Sequence, residues 1–428
     1  MAEQELLRVT KIRVTKLFGR YDHEVVLRSK DRVTILHGPN GVGKTTLLRL
    51  TASALSGDLT DLARIPFQTF EVTLSDGAVL GFVKSEGVKD GQVDTSIDGY
   101  LNHQGRTHLS PLKVDPAKPA ARKLWTLAEV AGLSEQHALA RPPAMPGWMT
   151  AVRDRVGAHL IEAQRLLQLP QKSGELWYGE QTFMATVGTL AAGLKAEIES
   201  ALAEYGKHSQ WMDQTFPQRL LHDSGSPLTA VDLKRRMSAL EDKRHRLKRL
   251  GLIDEDPNYP FDASALEDLD ETRRSVMTLY VDDTAQKLWV LEDLARRIEI
   301  LLDQINRKFR HKTIQVDREK GLTATTTEGK PLALDALSSG EQHELVLLYD
   351  LLFKVRPNTL VLIDEPELSL HVIWQKDFVP DLLEVVETTG FDVVLATHSP
   401  FIVEDRHDLM VALSAETVEP EKELQLAS

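Results

Sequence analysis

The sequence predicts an α/β protein built on a parallel sheet within a mixed-sheet head, interrupted by a long, largely helical insertion. Three observations carry this prediction. An apolar, β-branched run at 32–37 leads into a glycine-rich loop at 38–43, and residues 45–55 then follow with helical spacing. From Ser338 onward, helix and strand alternate: helix 341–354, strand 359–363, helix 372–387 and strand 392–396. Such alternation is how a parallel sheet is written in sequence. Between these two regions, residues 180–310 read as helix almost throughout.

The elements follow in order. Residues 6–17 form a strand with Leu7, Val9, Ile12, Val14 and Leu17 in broken alternation, and 24–27 a second strand after the turn at 19–22. The run 32–37 has the continuous apolar character of a strand buried on both faces. Strands at 69–74 and 78–83 flank Ser75, Asp76 and Gly77, a hairpin turn. The polar, glycine-containing stretch 87–110 reads as a loop, and a proline-rich segment at 141–148 separates this region from a short strand at 159–163. Helices are expected at 181–205, 230–250 and 263–310, the last broken once, with Asp223 to Pro227 breaking the first two apart. No heptad pattern is sustained, so no long coiled coil is expected. A hairpin at 313–316 and 322–326 turns near Gly321. The chain accordingly divides into 1–170, a helical insertion at 171–311, and 312–428.

Composition narrows the function classes. The chain has 428 residues, 27% of them charged and 42% hydrophobic, as expected of a globular chain with a large core. The absence of cysteine excludes disulfides, a thiol nucleophile and Cys-ligated metals. The acidic start lacks an apolar signal core, and no apolar run reaches 18 residues, so the cytoplasm is the expected compartment and no membrane partner is expected. A net charge of −13 excludes a general nucleic-acid coat but not a local basic face.

Residues Gly38 to Thr45 read GPNGVGKT, matching G-x-x-x-x-G-K-[ST] between a strand and a helix, the context this motif requires. Gly38, Gly41 and Gly43 let the backbone curl around an oxyanion, and the N–H groups at the helix start favour negative charge. Lys44 is expected to reach the β- and γ-phosphates of a nucleotide, and Thr45 to give its hydroxyl to Mg²⁺. The expected nucleotide-binding set is Gly38, Pro39, Asn40, Gly41, Val42, Gly43, Lys44, Thr45 and Thr46.

The strand ending in Asp364 and Glu365 places two carboxylates where a parallel sheet presents its loops. Asp364 is expected to hold Mg²⁺, and Glu365 to polarise a water for in-line attack. Isolated, such a pair is often only a strand end; beside the Lys44 loop the two features explain each other. Ser339 and Gly340 open a helix and offer a hydroxyl and free N–H groups to an anion, or form a plain N-cap. His398 ends the strand 392–396, from where it is expected to contact the γ-phosphate or orient the attacking water; a satisfied structural role is the alternative for a lone histidine.

In order and spacing these motifs resemble the ABC-type P-loop ATPase heads of the SMC, RecF and OLD kind. GPNGVGKT is similar to a Walker A motif and LVLIDE to a Walker B motif. SSGEQ, with Glu341 in place of a glycine, resembles the ABC signature; the run from Pro366 to His371 resembles the D-loop, and ATHSP the histidine switch. Gln164 resembles the Q-loop glutamine, a metal ligand beside Thr45 and Asp364, although a glutamine at a strand end is as often structural. The resemblance implies ATP and Mg²⁺ as cofactors, catalysis by Glu365, His398 and Lys44, and a homodimer or higher oligomer. In that assembly Ser339, Gly340 and Glu341 of one copy would meet the nucleotide held by the other.

Lys44 and Ser339 stand 295 residues apart, far more than in transporter heads. The hairpin before the signature and the sequence ELSLH resemble OLD-like anti-phage ATPases, such as those of the PARIS and Septu systems. The chain ends 28 residues after Pro400, so a TOPRIM nuclease domain is not expected. The resemblance therefore implies a separately encoded effector nuclease and a phage protein as trigger. A DNA-repair or chromosome-maintenance ATPase that clamps DNA is the alternative. Lys234, Arg235, Arg236, Lys243, Arg244, Arg246, Lys248 and Arg249 form either a DNA- or partner-binding arm or a solvated helix balanced by Asp232, Glu241 and Asp242.

Overall fold

The computed structural model describes residues 7–89, 92–112, 146–162, 179–222, 227–253, 269–368 and 370–413. The chain forms two compact units, Met1–Gln168 with Val355–Ser428, and Leu169–Lys354.

The first unit contains two sheets. Strands β1 (Val9–Leu17), β2 (Tyr21–Val26), β4 (Thr69–Leu74), β5 (Val79–Lys89), β6 (Gln92–His103) and β7 (Arg106–Leu112) form an antiparallel sheet in the order β2-β1-β4-β5-β6-β7. Strands β3 (Val33–His37), β8 (Ala158–Glu162), β12 (Leu360–Asp364), β13 (Asp392–Ala396) and β14 (Met410–Ala412) form a sheet in the order β14-β3-β13-β12-β8, with every pairing parallel. Every residue of β13 is buried, as are the first four of β3 and β12. That burial explains their unbroken apolar sequences.

Helix α1 (Lys44–Ser56) follows β3 and contributes Leu47, Leu48, Leu50 and Leu55 to a core shared with Ile12, Val14 and Phe70 of the antiparallel sheet and Leu362 and Val394 of the parallel one. Each such side chain, fully buried, contributes about 1.5–3 kcal/mol. Arg8 ties the sheets together. Its guanidinium donates to both oxygens of buried Asp392, at 2.8 and 2.5 Å. The remaining helices of this unit that precede the insertion are α2 (Thr60–Arg64) and α3 (Gly147–Arg155).

Most expected elements are present, with one correction. The stretch 87–110, read as a loop, is strand: β5 and β6 pair from Val79 with Asn102 to Lys89 with Gln92, and β7 extends the sheet. The sequence disguised it because Ile97, Tyr100 and Leu101 do not alternate, and because β7 is mostly exposed. Gly81 and Gly99 also interrupt the pattern, at positions where a Cβ would run into Tyr100 and Leu112 respectively. The proline-rich segment lies outside the described residues, apart from Pro146, Gly147 and Trp148 at the start of α3.

The second unit contains α4 (Gly179–His222), α5 (Ala230–Arg249), α6 (Glu271–Trp289) and α7 (Glu292–Lys308). The predicted helix 263–310 breaks at Val290 and Leu291. In α7, Leu294, Ile298, Leu301 and Ile305 recur at three- and four-residue intervals and are all buried. Strands β9 (Lys312–Asp317), β10 (Gly321–Thr326) and β11 (Pro331–Leu332) form a small antiparallel sheet containing the expected hairpin. Helix α8 (Ser339–Tyr349) follows and runs into a π-helical turn at Asp350–Lys354. After β12, in the first unit, come α9 (Val372–Gln375), α10 (Phe378–Thr389) and α11 (Pro400–Val403). No helix among the described residues is long and apolar enough to cross a membrane.

Candidate functional site

The parallel sheet delivers three loops to one edge. β3, β13 and β12 are neighbours running in the same direction, so the residues after their C-terminal ends meet there. Such crevices beyond the carboxyl ends of parallel strands are where α/β folds bind ligands. The loop after β3 carries Gly38 to Gly43 and leads into Lys44 at the start of α1, the turn after β12 carries Glu365, and the loop after β13 carries His398.

Glycine is required at two loop positions. A Cβ on Gly43, at φ +100, would lie 2.6 Å from the Leu17 side chain, and one on Gly38 would lie 2.8 Å from the Leu413 carbonyl. Buried His23 braces the loop from β2, its Nε2 lying 2.8 Å from the Val42 carbonyl. Nothing in the sequence pattern singled out His23; an inward position on a strand next to a loop is visible only in three dimensions.

Lys44 Nζ donates to the carbonyls of Gly38 at 2.8 Å and Pro39 at 3.1 Å, and lies 3.4 Å from His398 Nδ1. Burial pushes the Lys44 ammonium below the ordinary lysine range, against the opposing pull of the Glu365, Asp364 and Glu367 carboxylates. Thr45 Oγ1 donates to Asp364 Oδ1 at 3.0 Å. His398 Nε2 lies 3.8 Å from Glu365 Oε1. Glu365 takes a left-handed backbone conformation, φ +46, its N–H donating to the Ala396 carbonyl at 2.9 Å. A non-glycine residue held this way is strained, and strain of this kind collects at working sites.

Lys44, Thr45, Asp364, Glu365 and His398 thus converge at one edge. Their chemistry fits a magnesium–nucleotide: a cationic group, glycines that leave the loop N–H groups open, and a hydroxyl paired with a carboxylate as hard oxygen donors. Among the described residues no group of three or more histidine or acidic side chains could hold a metal by itself. Mg²⁺ is commonly held by one or two protein oxygens together with substrate phosphates and water. Gln164 lies outside the described residues.

The signature-like segment belongs to the second unit. Ser338, not Ser339, is the N-cap of α8, and it forms a capping box with Glu341. Glu341 Oε2 accepts from the Ser338 N–H at 2.7 Å, the Ser338 hydroxyl at 2.9 Å and Lys312 Nζ at 2.7 Å. Burial pushes this carboxyl up, but the hydrogen bonds from Lys312 and Ser338 outweigh it and hold the group below the ordinary glutamate value. Glu341 is therefore engaged in holding the helix start, while Ser339 is exposed and Gly340 has open space around it.

The basic stretch on α5 is largely neutralised within its unit. Arg235 pairs with Asp232 at 3.0 Å, Arg236 with Asp282 at 2.6 Å, Lys243 with Glu292 at 3.7 Å and Arg244 with Glu241 at 2.8 Å. Arg246 bridges Glu292 and Glu299.

The chain thus has a mixed α/β core with a P-loop-like head and helical insertions. A family model described as "AAA domain, putative AbiEii toxin, Type IV TA system" matches residues 221–404. No curated protein matches the chain. Among solved structures, the Smc head domain with an extended coiled coil bound to the C-terminal domain of ScpA, from Pyrococcus furiosus, is 13% identical, with 96% of each chain covered and a TM-score of 0.38. The SMC head domain from Thermotoga maritima is 12% identical over 96% of this chain and 100% of that one, with a TM-score of 0.35. An SmcHead bound to the C-winged helix domain of ScpA is 12% identical over 95% and 93%, with a TM-score of 0.36.

Proposed function

We propose that the chain binds ATP with Mg²⁺ and hydrolyses it at the edge formed by Lys44, Thr45, Asp364, Glu365 and His398, as one half of a dimer. The convergence of these five side chains at the ends of three neighbouring parallel strands carries this reading. Mg²⁺ would be held by Thr45 and Asp364, with Gln164 as a further ligand, and would neutralise charge on the phosphate oxygens. Lys44 binds the terminal phosphates. Glu365 accepts a proton from the attacking water, and His398, between Lys44 and Glu365, orients that water. The exposed Ser339 and the neighbouring Gly340 serve the partner copy's nucleotide, which makes each site the property of two chains. Substitution Glu365→Gln tests the chemistry. It should keep nucleotide binding and reduce phosphate release at least about 100-fold; unchanged turnover would remove Glu365 from the reaction.

For the cellular setting, we propose a DNA-handling ATPase of the RecF or SMC type, supported by the order of motifs around a helical insertion. Six ion pairs already engage Arg235, Arg236, Lys243, Arg244 and Arg246 on α5, so on this reading DNA would have to compete with them for that stretch. The second reading is an anti-phage regulator that senses a phage protein and controls a separate nuclease, favoured by the description of the matching family model. A gel-shift with duplex DNA and ATP at two salt concentrations separates them. Tight binding with a steep salt slope supports the first; no binding, with co-purification of a nuclease, supports the second.

A further inference from the structure

Glu367 lies two residues beyond Glu365, in the turn after β12. Its Oε1 accepts three hydrogen bonds from one short stretch after β13: the Thr397 hydroxyl at 2.9 Å, the His398 N–H at 2.8 Å and the Ser399 N–H at 3.2 Å. A second strut runs beside the first. Ser399 Oγ donates to Gln375 Oε1 at 2.8 Å, and Gln375 Nε2 donates to the Glu367 carbonyl at 3.4 Å. Thr397 and Gln375 are buried, and Glu367 Oε2 is buried without a hydrogen-bond partner. The carboxylate is thus oriented entirely through one oxygen, on one loop.

Hydrogen bonds from N–H and O–H groups to a carboxylate are short and stronger than neutral ones. Three of them on a single oxygen fix the stretch 397–399 relative to the turn that carries Glu365. His398 depends on this anchor because its side chain, 34% exposed, is only partly enclosed. Its reach to Lys44 and Glu365, 3.4 and 3.8 Å, depends on where its backbone is held. Displacements of about 1 Å in a reacting site reduce rates about 100-fold.

We propose that Glu367 is the positioning residue for His398, braced by Gln375. It acts by holding the loop that presents the imidazole. This assignment rests on the hydrolysis reading above.

The test combines turnover with an activity-independent readout, using the full chain. In Glu367→Ala, phosphate release falls by about 10- to 100-fold while affinity for a fluorescent ATP analogue changes by less than about twofold. Glu367→Gln keeps a carbonyl acceptor and retains turnover within about fivefold of wild type. In a His398→Ala background, Glu367→Ala brings no further loss, since the two act as a unit. Amide hydrogen exchange across 397–399 accelerates at least about tenfold in Glu367→Ala. Wild-type turnover in Glu367→Ala, or a loss that adds fully to that of His398→Ala, overturns the assignment. A wild-type chain that releases no phosphate overturns the hydrolysis reading instead. Exchange then judges the latch by itself: unchanged protection in Glu367→Ala overturns it, and lost protection upholds it.

Discussion

Replacing Gly43 with alanine probes the glycine-rich loop after β3, where the proposed nucleotide site lies. Gly43 holds φ at +100, outside the small left-handed region that other residues tolerate, and adopting it costs an alanine about 1–3 kcal/mol. The new methyl would also stand 2.6 Å from Leu17 Cδ2. Leu17 is fully buried in the core beneath the loop, so displacing it costs a further ~1–3 kcal/mol. The total is about 2–6 kcal/mol, a large share of an ordinary domain's stability. Gly41 is the internal control: its φ is +81, but a Cβ there meets nothing within 4 Å, so Gly41→Ala carries the backbone strain alone, about 1–3 kcal/mol. Urea unfolding of both variants, followed by tryptophan fluorescence, isolates the packing contribution as their difference, with Gly43→Ala the less stable by about 1–3 kcal/mol. Equal midpoints for the two variants would refute the reasoning, because the Leu17 contact would then have no energetic weight.

Glu341→Gln should destabilise the chain by about 1 kcal/mol at pH 7, through loss of the charged partner of Lys312 and Ser338. The folded-state carboxyl lies below its ordinary value of 4.5, so its contribution is complete above that pH and declines as the pH falls through the folded value. Melting temperatures of wild type and variant between pH 7 and pH 3 should therefore converge below about pH 4.5, and a gap that stays constant contradicts the assignment. Asp392→Ala should cost about 3 kcal/mol in urea unfolding, since it strips the two-pronged partner from Arg8 and disconnects the two sheets; an unchanged midpoint would show that other contacts hold them.

The parallel sheet was legible because its strands are buried on both faces. LVLID and DVVLA admit little else, and the glycine loop after VTILH fixes which end of the sheet carries the site. Of the five converging side chains, Asp364, Glu365 and His398 sit at or just after such strands, and Lys44 and Thr45 open the helix into which the glycine loop leads. The antiparallel sheet was only half visible. β7 places polar residues on an exposed surface, where hydropathy carries little signal. Ser338 was hidden by the adjacent Ser339, because either serine could cap α8 and only backbone geometry chooses between them. Glu367 and His23 were invisible because their partners lie on distant loops, 30 and 19 residues away for Thr397 and Val42.

A mixing experiment tests most directly the claim that each site is shared by two chains. Lys44→Ala removes a chain's own phosphate grip, whereas Ser339→Arg spoils what it offers its neighbour. Neither variant alone should turn over ATP. Mixed in equal amounts, half the dimers pair unlike chains, and each such dimer holds one site with an intact Lys44 and an intact Ser339, so about a quarter of wild-type turnover should return. A mixture that forms unlike pairs, verified with distinct tags, yet stays as inactive as its components would contradict the shared site.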